Sequence, residues 1–103
     1  GFYEDYVSSP YQAPAGERPI RIEWVAETPH GTAVQFQVRT AHTSDDLESS
    51  PWCGPEGQNT WYTTSGAQID RLEGPWVQYR ARFVTPNGGA TPYLTRVTIE
   101  AGP

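Results

Sequence analysis

The side chains that could do acid–base, nucleophilic or metal chemistry in this chain are few: His30, His42, Cys53 and the acidic run Asp45, Asp46 and Glu48. Neither histidine sits in a recognisable serine or cysteine nucleophile motif, so both read as turn and edge residues. Cys53 lies in Pro51-Trp52-Cys53-Gly54-Pro55, where a lone thiol beside Trp in a turn reads as packed. Being alone, it can form no disulfide within the chain. The acidic run lacks the alternation and glycine of a calcium loop and reads as a solvated acidic loop. No catalytic residue, metal or cofactor is expected, and the chain is not expected to be an enzyme.

Recognition chemistry is better represented. All seven cationic residues are Arg, which favours planar, bidentate or stacked contacts over loosely solvated charge. Gln35, Gln37, Arg39, Gln78, Arg80 and Arg82 fall at outward positions of alternating segments, a set of amide and guanidinium donors suited to sugar hydroxyls or carboxylates. Trp52 and Trp61, with Tyr62, would be stacking platforms beside them. The competing expectation is a solvated ladder in which these Arg residues pair with Glu23, Glu27 or Glu100. A third group stands apart: Phe2, Tyr3, Tyr6, Val7 and Tyr11 crowd an N-terminal arm punctuated by Pro10, Pro14 and Pro19. That is more aromatic surface than an inert linker leaves in water, so the arm should pack on its own body or on a neighbour's.

The elements that position these groups are strands. Ile20, Ile22, Trp24 and Ala26 alternate with polar residues, as do Val34, Phe36 and Val38, with turn chemistry at Thr28–Thr32 between them; this predicts a β-hairpin. Val77, Tyr79, Ala81 and Phe83, then Tyr93, Thr95, Val97 and Ile99, predict a second, joined through Pro86-Asn87-Gly88-Gly89. Residues 41–75 are weaker, with short strand candidates at Thr60–Thr64 and Ala67–Asp70 and, over Asp45–Glu48, either a single helical turn capped by Ser44 or a loop. The 103 residues suit one domain, organised as an arm over 1–19 and an all-β antiparallel sandwich over 20–103. A net charge of −5 without a basic stripe argues against nucleic acid, and no apolar run is long enough to span a bilayer. Beginning at Gly rather than Met, the chain is expected to be mature or trimmed.

The run Gly31-Thr32, Val34, Phe36-Gln37-Val38-Arg39, Pro51-Trp52, Gly54-Pro55, Tyr62-Thr63, Gly66, Ile69, Gly74, Trp76-Val77-Gln78-Tyr79-Arg80-Ala81, Thr91-Pro92, Leu94 and Val97-Thr98-Ile99 resembles an immunoglobulin-like or fibronectin-III-like module repeated in large secreted bacterial proteins. The likeness covers roughly residues 20–101 and does not extend to the arm. It implies an extracellular or cell-surface setting and a structural or binding role, and it supplies no catalytic residues. The arm is similar in kind to the donor strand of pilin-type surface fibres, by analogy and not by sequence. Residues 2–7 could add a strand to an open sheet edge, either as the first strand of their own body or as an insert into a neighbour. A head-to-tail insert generates a ring or a filament. The three prolines suit a stiff, extended connector that hinders a tight return onto the same body. The expectation is a structural subunit polymerising with identical chains through Phe2, Tyr3, Tyr6, Val7 and Tyr11, with a carbohydrate-binding accessory module as the alternative.

Overall fold

The computed structural model describes residues 3–86 and 89–103; Phe2 and the Asn87-Gly88 tip of the predicted second hairpin lie outside them. The protein is all-β, with strands β1 (Tyr3–Val7), β2 (Tyr11–Gln12), β3 (Arg18–Glu27), β4 (Ala33–Ala41), β5 (Cys53–Gly54), β6 (Gly57–Gln58), β7 (Ala67–Gln68), β8 (Trp76–Val84) and β9 (Tyr93–Gly102). They form two antiparallel sheets. The larger runs β1-β8-β4-β5-β6, with β2 also on β8, and the smaller runs β7-β3-β9.

The alternation read from the sequence separates inner from outer faces except at the start of β9, where the bulge at Thr95 turns the predicted inward Tyr93 and Thr95 to solvent and brings Leu94 onto the core. Ile22, Val34, Phe36, Val38, Val77 and Ala81 are buried, with Trp24, Ala26, Tyr79, Phe83, Val97 and Ile99 packed against them. This apolar layer lies between the sheets, since Trp24 of β3 and Phe36 of β4 bring their ring centroids within 4.4 Å. Tyr62 and Ile69 close the same core from the loops. Tyr62 exchanges backbone hydrogen bonds with Phe36, 2.9 and 2.8 Å, as an isolated bridge where a short strand was predicted.

Neither predicted hairpin forms. β3 pairs with β7 and β9, and β4 pairs with β8 and β5, so each pair of consecutive strands is split between the two sheets. The physical reason is that a period of two fixes which side chains face inward but not which strand lies alongside. At residues 28–32 the chain crosses between layers through a 3-10 turn, with His30 and Gly31 at φ of 52° and 78°. The inward faces of β3 and β4 therefore meet across the core instead of lying side by side.

That crossing decides the fate of the arm. With β9 placed beside β3, the second edge of β8 is open, and β1 and β2 occupy it in the same chain. Between them, Ser8, Ser9 and Pro10 face only two residues of β8, a bulge at a proline that has no N–H to give the ladder. The expected extended connector is corrected by a tight turn: the Glu17 N–H donates to the Pro14 carbonyl at 3.0 Å, and Gly16 takes φ of 80°, which a residue with a Cβ resists. Pro19 is not part of a connector at all. It is buried within β3 and paired with Ala101, and β7 reaches only Arg21 and Ile22, so its missing N–H leaves no ladder bond unmade.

The acidic loop carries the predicted helical turn as a 3-10 segment, Asp45–Ser49, anchored by the buried Leu47. Ser44 stands at its N-cap position but makes no side-chain cap hydrogen bond. The Asp46 N–H donates instead to the Thr43 hydroxyl at 3.2 Å.

Candidate functional site

The outward face of the larger sheet is built by the odd-and-even parity of three strands. β4 presents Gln35, Gln37 and Arg39, β8 presents Gln78, Arg80 and Arg82, and in register β1 presents Tyr3, Asp5 and Val7 beside them. The loop that leaves and rejoins β5 and β6 brings Trp52 and Trp61 over the same face.

These side chains interleave. The Arg39 guanidinium carbon lies 4.2 Å from the Trp52 ring centre, that of Arg80 lies 5.0 Å from Trp52 and 5.1 Å from Trp61, and that of Arg82 lies 4.6 Å from Trp61 and 3.8 Å from Tyr3. The result is a row alternating cation and ring from Arg39 to Tyr3. Each Arg is also hydrogen-bonded. Arg39 donates twice to Gln78 Oε1, at 2.9 and 2.7 Å; Arg80 donates to Gln37 Oε1; Gln37 in turn donates to the Thr60 carbonyl at 2.8 Å. Burial pushes the Arg39 and Arg80 pKa values down, and the aromatic faces supply the attraction that offsets lost hydration.

The row therefore brings together Gln37, Arg39, Gln78, Arg80, Arg82, Trp52 and Trp61, with Gln35 in register beside Arg82; several donors are engaged within the row, while the buried Arg80 Nε has no hydrogen-bond partner among the described residues. Each Trp ring already carries two guanidinium groups, in the place where a sugar would stack. The expected partners Glu23, Glu27 and Glu100 are corrected, because they project from the smaller sheet: Glu100 approaches Arg21 at 3.8 Å, and the acids that meet the row are Asp5, hydrogen-bonded to Arg82, and Glu48, near Arg39.

Asp5 fastens the arm. Arg82 donates from Nε and Nη2 to its two carboxylate oxygens at 2.7 and 2.8 Å, with the side chains only 23% and 26% exposed. The hydrogen bond from Arg82 holds the Asp5 carboxyl below its usual range. Next to it Ser8 accepts on its hydroxyl from the Tyr79 N–H at 3.0 Å, donates its own N–H to the Tyr79 carbonyl at 2.9 Å, and accepts on its carbonyl from Gln78 Nε2 at 2.8 Å. Sequence reasoning missed Ser8 and the role of Asp5, although Asp5 shares the parity of Tyr3 and Val7 and so could meet only an outward row.

On its other side the arm is weakly held. Tyr6 reaches Tyr79 at 6.2 Å between ring centroids yet remains about half exposed, as do Tyr3 and Val7 on the row's side and Tyr11 of β2. A cleft of about 300 Å³ opens between Tyr11, Val77 and Tyr79 of the larger sheet and Val97 and Ile99 of the smaller.

The remaining chemical residues are dispersed. His30 and His42 are exposed at a turn and at the entry to the acidic loop. Cys53 is half-buried, its thiol donating to the Pro51 carbonyl at 3.7 Å, and burial pushes its pKa up, away from thiolate chemistry. Among the described residues no three His, Cys, Asp or Glu side chains are arranged to hold a metal ion.

Replacing Asp5 tests the fastening directly. Asp5→Asn is expected to loosen β1 by about 1 kcal/mol, the upper range for a partly exposed ion pair, speeding amide exchange over residues 3–7 roughly fivefold with the rest of the sheet unchanged. The pH dependence has the same origin. A carboxyl whose pKa is lower when folded stabilises above its unfolded value and loses that contribution as pH falls through the folded value. Exchange in β1 should therefore rise selectively in the acid range below ordinary carboxylate titration, and the Asn variant should show no such step.

No protein-family model matches the chain, and no curated protein or solved structure matches it either.

Proposed function

We propose that this protein is a non-catalytic extracellular structural subunit that joins identical chains by exchanging its N-terminal strand. The observation that carries the reading is the edge of β8. It is left open by the crossing of β9 to the other sheet, and it is completed by a strand from the far end of the chain, paired from Tyr3↔Val84 to Val7↔Arg80. A strand supplied by a neighbour can make the same backbone bonds, the same Asp5–Arg82 pair and the same Tyr3 stack. Exchange of an identical element between protomers costs little for that reason. The Pro14–Glu17 turn is the hinge whose opening would swing β1 and β2 outward together.

Each chain would give one arm and receive one, so the contact is head-to-tail and propagates. The arginine–aromatic row serves this role as a stiffener, locking β4, β8 and the 52–61 loop into a face against which an incoming arm finds its partners already placed. A glycan-binding surface is the weaker reading, because each of its Trp rings already carries two guanidinium groups. The immunoglobulin-like kinship and the surface setting belong to the same proposal.

Light scattering and negative-stain imaging of the full chain, against a chain lacking residues 1–14, test this. The full chain should form concentration-dependent oligomers or fibres. The shortened chain should not, and should regain a β8 partner when a synthetic peptide of residues 1–14 is added. A full chain that remains an 11.4 kDa monomer at high concentration would overturn the proposal.

A further inference from the structure

The smaller sheet has an edge of its own. β9 runs ten residues, Tyr93–Gly102, and pairs with β3 on one side; among the described residues no strand pairs its other side. Open edges of this length are ordinarily guarded by Lys, Pro or like charges that repel a second strand. β9 contains neither Lys nor Pro, and its two charges, Arg96 and Glu100, are of opposite sign.

Their placement is self-complementary. Antiparallel pairing of two copies of β9 about Thr98 sets Arg96 opposite the second copy's Glu100, twice by symmetry, and Val97 opposite Ile99. The faces agree as well. Arg96, Thr98 and Glu100 are exposed on the outer face, while Val97 and Ile99 are half-buried toward the core, so the pairing continues both the polar and the apolar layer across the junction. The one irregularity, Thr95, bulges out of register between Arg96 and Leu94, beyond the paired centre. We infer that β9 is a two-fold interface between copies of this chain, forming one continuous six-stranded sheet from two smaller sheets. It needs no exchange of the arm, which pairs with the other sheet and meets β9 only through Tyr11 across the cleft beside Val97, Thr98 and Ile99.

Cysteine placement reads the register. In a Cys53→Ser background, Thr98→Cys should form a covalent dimer under mild oxidation, because directly opposed Cα atoms lie within disulfide reach at about 5 Å. Thr95→Cys should not, because the two copies' sites would be about 20 Å apart, six residues at strand spacing. Added to the Thr98→Cys chain, Arg96→Glu or Glu100→Arg alone should cut the cross-linking rate at least about tenfold by setting like charges opposite, and an equimolar mixture of the two should restore it. Arm exchange brings no two Thr98 residues together, so its failure leaves these outcomes unchanged. Absence of the Thr98 cross-link, equal cross-linking of Thr95 and Thr98, or no rescue in the mixture would overturn the inference.

Discussion

Phe36→Ala is expected to lower stability by about 3–5 kcal/mol, the range for removing a buried aromatic ring. Phe36 is fully buried, stacks on Trp24 from the opposite sheet and lies 5.9 Å from Tyr79. It also holds the backbone bridge to Tyr62, which ties the 52–61 loop to β4. Few neighbours can relax into the space left, because the core sits between two sheets that are each hydrogen-bonded along their length. A domain of this size has about 5–15 kcal/mol in total, so calorimetry should show a melting temperature lower by roughly 15–30 °C. A shift of only a few degrees would mean that the sheets close over the void and that the core is less rigid than its geometry implies.

Gly54→Ala should be the most damaging change outside the aromatic core. An added Cβ would stand 2.2 Å from the Thr60 carbonyl oxygen and 2.5 Å from the Trp61 nitrogen, both backbone atoms that no rotamer change can move. Relief requires the 60–61 segment to retreat, and that segment carries Trp61 between Arg80 and Arg82 and the carbonyl that Gln37 grips. The expected cost is about 3 kcal/mol, the upper end for inserting a methyl into a packed site. Its signature is specific: near-ultraviolet dichroism from the Trp rings should collapse while the far-ultraviolet β spectrum persists. A variant with unchanged Trp dichroism would show that the loop does not depend on this close approach.

How much of this was legible in the sequence follows from what alternation can encode. The inward sets Ile22/Trp24, Val34/Phe36/Val38 and Val77/Tyr79/Ala81 are spaced by two and were readable. So was the all-β class, and so were the outward Gln and Arg positions that the structure gathers into one row. Strand partnership was not readable, because turn residues such as Pro29, His30 and Gly31 reverse the chain equally well within a sheet or between sheets. The arm's attachment depended on that choice. Once β9 goes to β3, an Asp at the parity of Asp5 meets Arg82 and not solvent. The tight turn at Gly16 was hidden behind the three prolines, which share a residue type but not a role: a bulge at Pro10, a turn at Pro14 and a strand at Pro19.

The remoteness of the paired strands also bears on how the chain folds in time. Tyr3 waits for Val84 and Arg18 for Gly102, so neither sheet can be completed until nearly the whole chain is available. Topologies dominated by such distant pairings fold in milliseconds to seconds, far more slowly than ones built from local hairpins. During synthesis β1 emerges long before β8, the strand it pairs with, and finds its seat late. In that interval its place beside β8 stands open, and on the proposed exchange the local chain concentration would govern whose arm fills it.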